Sequence, residues 1–259
     1  DTKLRTNAEL VLERQTEVEA YALPKWAKLI TAGIDVQENC LYWTIRAWGD
    51  YMTSQNIAHG QALSMNEVAQ IMNTELYTRT GKGFWCRWPD GQRRPDRGGL
   101  RVLCPKCGLG AAVQGRTHHA VPLSPVKSQQ GRKQCLRNGL VLVDGGKYKD
   151  MIAARMRKPN GSGSWMVYKD CDLEYAEQVT AEHKVTERAN GKVVQKWVPK
   201  TTHADNHYLD CEVYAMAAAE IMGVRELHLK QQEVAPVQPE KQGSHTPEEK
   251  WISTQENWL

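Results

Sequence analysis

The stretch "LITAGIDVQENCLYWTIRAWG" at residues 29–49 constrains this chain more than any other. The run "KLITAGIDV" is apolar and rich in β-branched residues. The run "CLYWTIRAW" alternates Leu41, Trp43, Ile45 and Ala47 with Tyr42, Thr44, Arg46 and Trp48, so both read as strands. Only a tight polar turn, Gln37 to Asn39, separates them, which makes the pair an antiparallel hairpin. Its first strand ends in an acid, Asp35. A carboxylate at a sheet edge is costly when unpaired, and a metal ion would relieve that cost; an Asp that caps a turn is the plainer reading.

The order of the remaining elements follows from periodicity and caps. Ser64 and Glu67 bracket the start of a helix carrying Val68, Ile71, Met72 and Leu76 at helical spacing. "GLVLVDGGKYKDMIAARM" predicts a buried strand over Leu140 to Val143 with Asp144 at its end, then a helix with Tyr148, Met151, Ile152 and Met156 on one face. "SWMVYK" reads as a strand, Asp172 as the cap of a helix from Leu173, and Asn190-Gly191 as the turn of a hairpin. The last ordered element is an Ala-rich helix in "HADNHYLDCEVYAMAAAEIMG", capped by Asp205 and stopped near Gly223. On it Asp210, Tyr214, Ala217 and Ile221 form one stripe, which places a carboxylate on the packed side.

Charge is unevenly spread. From Gly81 to Arg137 twelve basic residues, among them Arg93, Arg94, Arg97, Arg101 and Lys106, face only Asp90 and Asp96. Trp85, Trp88, His118 and His119 are interleaved with them, a composition suited to phosphate backbones with some stacking. The same segment holds "CPKCG", where Cys104 and Cys107 have zinc-knuckle spacing; Cys86, His118, His119 and Cys135 could supply the other ligands, and free thiols are the alternative. Seven cysteines scattered through 259 residues do not make a disulfide scaffold. No apolar run approaches a membrane span, and a start at Asp1 without Met leads us to expect a piece of an intracellular protein.

The expected fold class is α/β, a mixed sheet flanked by helices, with an irregular basic lobe and a disordered tail. Residues 1–27 are expected to be an extension, 28–223 the domain with the basic lobe at 81–137 inside it, and 224–259 a flexible tail ending in a docking motif around Trp251 and Trp258. Asp35, Asp144 and Asp210 stand at strand ends or on a packed helical face. Carboxylates converging at a sheet edge are what two divalent ions need to activate water against a phosphodiester. The layout of hairpin, helix, further strands and C-terminal helix is that of the ribonuclease-H-like nucleases.

The motifs "LITAGIDVQENCLYWTIRAWG", "VDGGKYKDMIAARM", "YAEQVTAEHKV" followed by "KWVPK", and "NHYLDCEVYAMAAAE" resemble, in order and spacing, the nuclease half of lambda-like tailed-phage terminase large subunits. The resemblance spans residues 27 to 222. It implies a metal-dependent endonuclease that cuts concatemeric double-stranded DNA during packaging in the host cytoplasm, using Mg2+ or Mn2+. It places Asp35 and Asp210 at the positions of metal-binding acids, and Lys149 in a motif that could contact the scissile phosphate. It also implies a preceding ATPase domain and, as partners, the terminase small subunit and the portal protein through the tail. Two departures stand out. The strand "LRVLCPKCG" has Cys104, Pro105 and Lys106 where an acid is expected, which leaves Asp144 as the geometric candidate for the middle ligand. Asn206-His207 replaces a polar-acidic pair, so His207 is either a ligand or proton carrier or a solvent-facing residue. The competing reading is a catalytically degenerate nucleic-acid-binding or assembly module.

Overall fold

The computed structural model describes residues 6–72, 75–78, 83–85, 100–103, 110–116, 123–125, 140–189, 192–202 and 204–229. The first half contains helix α1 (Ala8–Leu12), strands β1 (Ala22–Leu23), β2 (Leu29–Val36), β3 (Leu41–Trp48) and β4 (Ser54–Ala62), then α2 (Met65–Met72), β5 (Glu75–Thr78) and β6 (Gly83–Trp85). Next come β7 (Leu100–Leu103), β8 (Gly110–Arg116), β9 (Leu123–Pro125), β10 (Leu140–Asp144) and α3 (Gly145–Met156). The chain continues through β11 (Trp165–Val167), α4 (Leu173–Val179), β12 (Glu182–Ala189), β13 (Lys192–Pro199) and α5 (His207–Ile221).

The main sheet is mixed, in the order β11-β4-β3-β2-β7-β8-β10-β9. β2 runs antiparallel to β7, β7 antiparallel to β8, and β8 parallel to β10, so β2 and β10 point the same way. Asp35 and Asp144, each at or next to a C-terminal strand end, therefore face the same edge of the sheet. β1, β5 and β6 form a small second sheet, and β12 pairs with β13 in a separate ribbon from Glu182↔Pro199 to Ala189↔Lys192, as Asn190-Gly191 predicts.

Alternation on β2 and β3 feeds two cores. Ile30, Ala32, Ile34, Trp43 and Ile45 are buried with Val68 and Met72 of α2. On the other face Leu29 and Trp48 are buried with Tyr148 and Ile152 of α3, Tyr175 of α4, and Val213 and Met216 of α5. Val11 of α1 joins this second cluster at 0% exposure, so part of the N-terminal segment packs on the domain. Among the described residues no helix is long and apolar enough to cross a membrane.

Gly33 sets how closely α5 approaches β2. A Cβ there would lie 1.9 Å from the Cys211 carbonyl oxygen and 2.8 Å from the Ala215 nitrogen, both backbone atoms that cannot swing away. Thr31 Oγ1 fastens the same contact by donating to the Ala215 carbonyl at 2.7 Å, and accepts from Trp48 Nε1 at 2.7 Å. Gly33→Ala must push the helix off the strand. The expected cost is about 3 kcal/mol and a melting temperature lower by roughly 10 °C, and a parental melting curve would refute the close packing.

Four details depart from the sequence reading. The α2 pattern ends at Met72, and Leu76 belongs to β5. Asp205 does not cap α5; the N-cap is Asn206, whose side chain makes no capping bond and donates its Nδ2 to Glu182, while Gln178 Oε1 of α4 accepts from the Tyr208 N–H at 3.3 Å. The stripe of Asp210, Tyr214, Ala217 and Ile221 is not the face on β2: α5 is enclosed by the sheet and by α3 and α4, so Cys211 and Ala215 meet the strand and Ile221 is 38% exposed. The stretch 81–137, read as irregular, holds β6 to β9, and β7, β8 and β9 lie in the main sheet.

Candidate active site

β2, α5, α3 and the start of β12 converge at the edge that carries Asp35. Two residues before it, Gly33 lets α5 touch β2, and one residue before Cys211 comes Asp210. Asp35 Oδ2 accepts from Gln37 Nε2 of its own turn at 2.5 Å and contacts His207 Nδ1 at 2.9 Å. His207, the first residue of α5, stacks on Tyr42 with ring centroids 4.4 Å apart. The histidine thus ties the strand end to the helix start, rather than facing free solvent.

Asp210, one turn further along α5, pairs with Lys149 Nζ of α3 at 3.3 Å. The same ammonium reaches Glu182 Oε1 at 2.7 Å, and Asn206 Nδ2 donates to that oxygen at 2.6 Å. Lys149 and Glu182 side chains are only 12% and 6% exposed, so the charges act on one another with little screening. Burial raises the Asp210 carboxyl above its usual range; Lys149 opposes this, and the negative charges of Asp35 and Glu182 add to it. The Tyr214 phenol is pushed up by burial and then by Asp210 and Asp35. Asp35, Asp210 and Glu182 therefore share one negative field, with the Lys149 ammonium between Asp210 and Glu182.

A cavity of about 700 Å³ opens beside Asp210 and Glu182, lined among others by these two, Asp144 and Lys149. Asp144 is 5% exposed and caps α3, its Oδ1 accepting from the Lys147 N–H at 3.2 Å, with Lys147 Nζ 3.6 Å from Oδ2. It faces the same cavity as Asp210, with a structural duty of its own.

The structure brings together Asp35, His207, Asp210 and Lys149, with Asp144 lining the same cavity as Asp210 and Lys149. Arg93, Arg94, Arg97, Lys106, Cys104 and Cys107 lie outside the described residues, as does the tail from 230; Arg101 falls within β7. Glu182 was missed as a site residue although it stands inside the motif "YAEQVTAEHKV". The signal was the alternation Glu182, Lys184, Thr186, Arg188, which puts a buried acid at the base of a polar row.

Among the described residues no group of three or more His, Cys, Asp or Glu side chains is arranged to hold a metal ion. The donor chemistry nonetheless fits a hard divalent cation. Mg2+ takes one or two carboxylates, keeps several waters and accepts further oxygens from phosphate, and Asp35 and Asp210 are two carboxylates that repel each other.

A family model described as terminase large subunit gpA, endonuclease domain, matches residues 1–85 and 105–231. Arg93, Arg94, Arg97, Arg101 and Cys104 fall in the stretch it leaves out. No curated protein and no solved structure matches the chain.

Proposed function

The chain belongs to the family of terminase large subunit gpA endonuclease domains, and we propose that it is a divalent-metal-dependent endonuclease acting on double-stranded DNA. The observation that carries this reading is the meeting of Asp35, at a strand end and bonded to His207, with Asp210 one turn along the same helix, in one negative field, Asp210 opening on the cavity. The run β4-β3-β2 of antiparallel neighbours, with acids at the ends of the codirectional β2 and β10, supports a ribonuclease-H-like arrangement. Packaging of concatemeric phage DNA in the host cytoplasm, with the terminase small subunit and a portal protein as partners, is the setting that goes with it.

Asp35 and Asp210 would hold Mg2+ or Mn2+, with Asp144 or Glu182 as candidates for a third oxygen donor. When bound, such an ion polarises the phosphodiester and makes water a better nucleophile at neutral pH. The chain's own residues set the stage for it. His207 and Gln37 fix the Asp35 carboxylate in orientation. Lys149 holds Asp210 and Glu182 apart from one another's repulsion, and lies where an incoming phosphate would meet a cation. Asn206 fixes the Glu182 oxygen from the other side.

A plasmid-nicking assay tests the proposal. Nicked and linear products are expected with Mn2+ and none with EDTA. DNA that binds but stays intact in Mn2+ and in Mg2+ would sink the nuclease reading in favour of an assembly module.

A further inference from the structure

We infer that the ribbon β12–β13 is an arm that grips the phosphate backbone of duplex DNA and leads it to the acids, an assignment that rests on the nuclease reading for what happens at its base. Among the described residues the ribbon forms a two-stranded sheet of its own. Residues on one face of a strand recur every second position, about 6.6 Å apart. On β12 that row runs from Glu182, buried in the site, outward through Lys184 and Thr186 to exposed Arg188. The register sets Trp197 opposite Lys184 and Gln195 opposite Thr186, on the same face.

Lys184, Gln195 and Trp197 of that face line the cavity with Gly145 and Gly146 of α3, and Lys196, which alternation sets on the ribbon's other face, reaches its lining as well. A Cβ at Gly145 would meet nothing within 4 Å, so a bulky backbone can approach there. Asp150 of α3 prearranges the arm: its Oδ2 is 2.7 Å from Lys184 Nζ and its Oδ1 accepts from Trp197 Nε1 at 3.0 Å. Lys196 pairs with Glu187 at 2.8 Å, but both side chains are about half exposed, so a phosphate can compete for the lysine. Charge changes sign along the ribbon: an acid at the base, where a cation and a scissile bond belong, then Lys184 and Arg188 outward along that face, with Lys196 beside them on the other. An acidic peptide would be repelled at the base, whereas a polyphosphate backbone with a bound divalent ion satisfies both ends.

The test is binding of a short DNA duplex to the full chain in EDTA, where cutting cannot occur, over a range of salt. For Arg188→Gln with Lys196→Gln, both on the exposed part of the ribbon, affinity is expected to fall roughly tenfold and the salt slope to flatten by about 1.8, two phosphate contacts' worth. Adding Lys184→Gln should flatten it further by about 0.9. If that third change lowers the melting temperature by freeing Asp150, the double variant alone decides. Parental affinity and slope in the double variant would overturn the arm whether or not the chain cuts DNA. Reduced binding in it, alongside a parent that never cuts in Mn2+, would keep the arm and remove the nuclease.

Discussion

Asp35→Asn and Asp210→Asn are each expected to lose metal-dependent plasmid cleavage by about a thousandfold or more, some 4 kcal/mol of transition-state stabilisation, while remaining folded. The substitution keeps shape and removes the charge that draws a divalent ion. Folding should tolerate it for a reason visible at the site: the Asp210 carboxylate is disfavoured by burial and by the charges of Asp35 and Glu182, so neutralising either acid relieves repulsion in the metal-free protein. Melting temperatures within a few degrees of the parent, or above it, are therefore part of the expected result. Full cleavage by either variant in Mn2+ would show that these acids do not carry the chemistry, and unfolding of both would show that they are structural.

Two companions identify the third donor. Asn caps a helix about as well as Asp, so Asp144→Asn leaves the start of α3 intact and changes only charge. A loss like that of Asp35→Asn then assigns Asp144 to the metal. Glu182→Gln keeps an acceptor for Lys149 and Asn206, so a loss confined to that variant assigns Glu182 instead.

The legible parts of this fold were those that repeat. The hairpin of β2 and β3 announced itself because alternation and a polar turn coincide, and β12–β13 because Asn190-Gly191 suits a tight turn. Asp35 and Asp210 were legible as odd acids in apolar surroundings. The less legible parts depend on partners from distant segments. α5 looked one-sided, yet its alanines let three neighbours close on it, so burial extends round the helix and a single stripe misleads. Asn206, not Asp205, begins it, and its side-chain amide goes to Glu182, 24 residues upstream, rather than to a cap. Gly33 carries no signature in the local pattern; its role appears only when the backbone of α5 is laid across it.

The second large effect is on stability. Glu212 follows Asp210 and Cys211 on α5, is 1% exposed, and receives Arg46 Nε at 2.5 Å, Tyr175 OH at 2.6 Å, Thr44 Oγ1 at 2.9 Å and Asn56 Nδ2 at 3.1 Å. Arg46, 0% exposed on β3, lays its guanidinium 4.3 Å from the centre of the Trp165 ring, and its Nη2 has no hydrogen-bond partner among the described residues. Burial works to raise the Glu212 carboxyl, but Arg46 and the bonds from Tyr175, Arg46 and Asn56 outweigh it and hold the group below its usual range. A carboxylate lowered in this way stabilises the fold above its unfolded pKa of about 4.3, and the contribution is lost as pH falls below that value through the folded one. Glu212→Gln leaves a cation buried without its counter-charge, so a loss of about 3–5 kcal/mol is expected, with a melting temperature lower by roughly 10 °C or more. Arg46→Met should cost a similar amount for the converse reason. The double variant, with neither charge present, should melt above both singles, because no charge is then left buried without its partner. Singles that melt like the parent, or a double variant that loses the sum of the two, would show that the pair is not coupled, and α5 would then owe its seat, and Asp210 its position, to apolar packing alone.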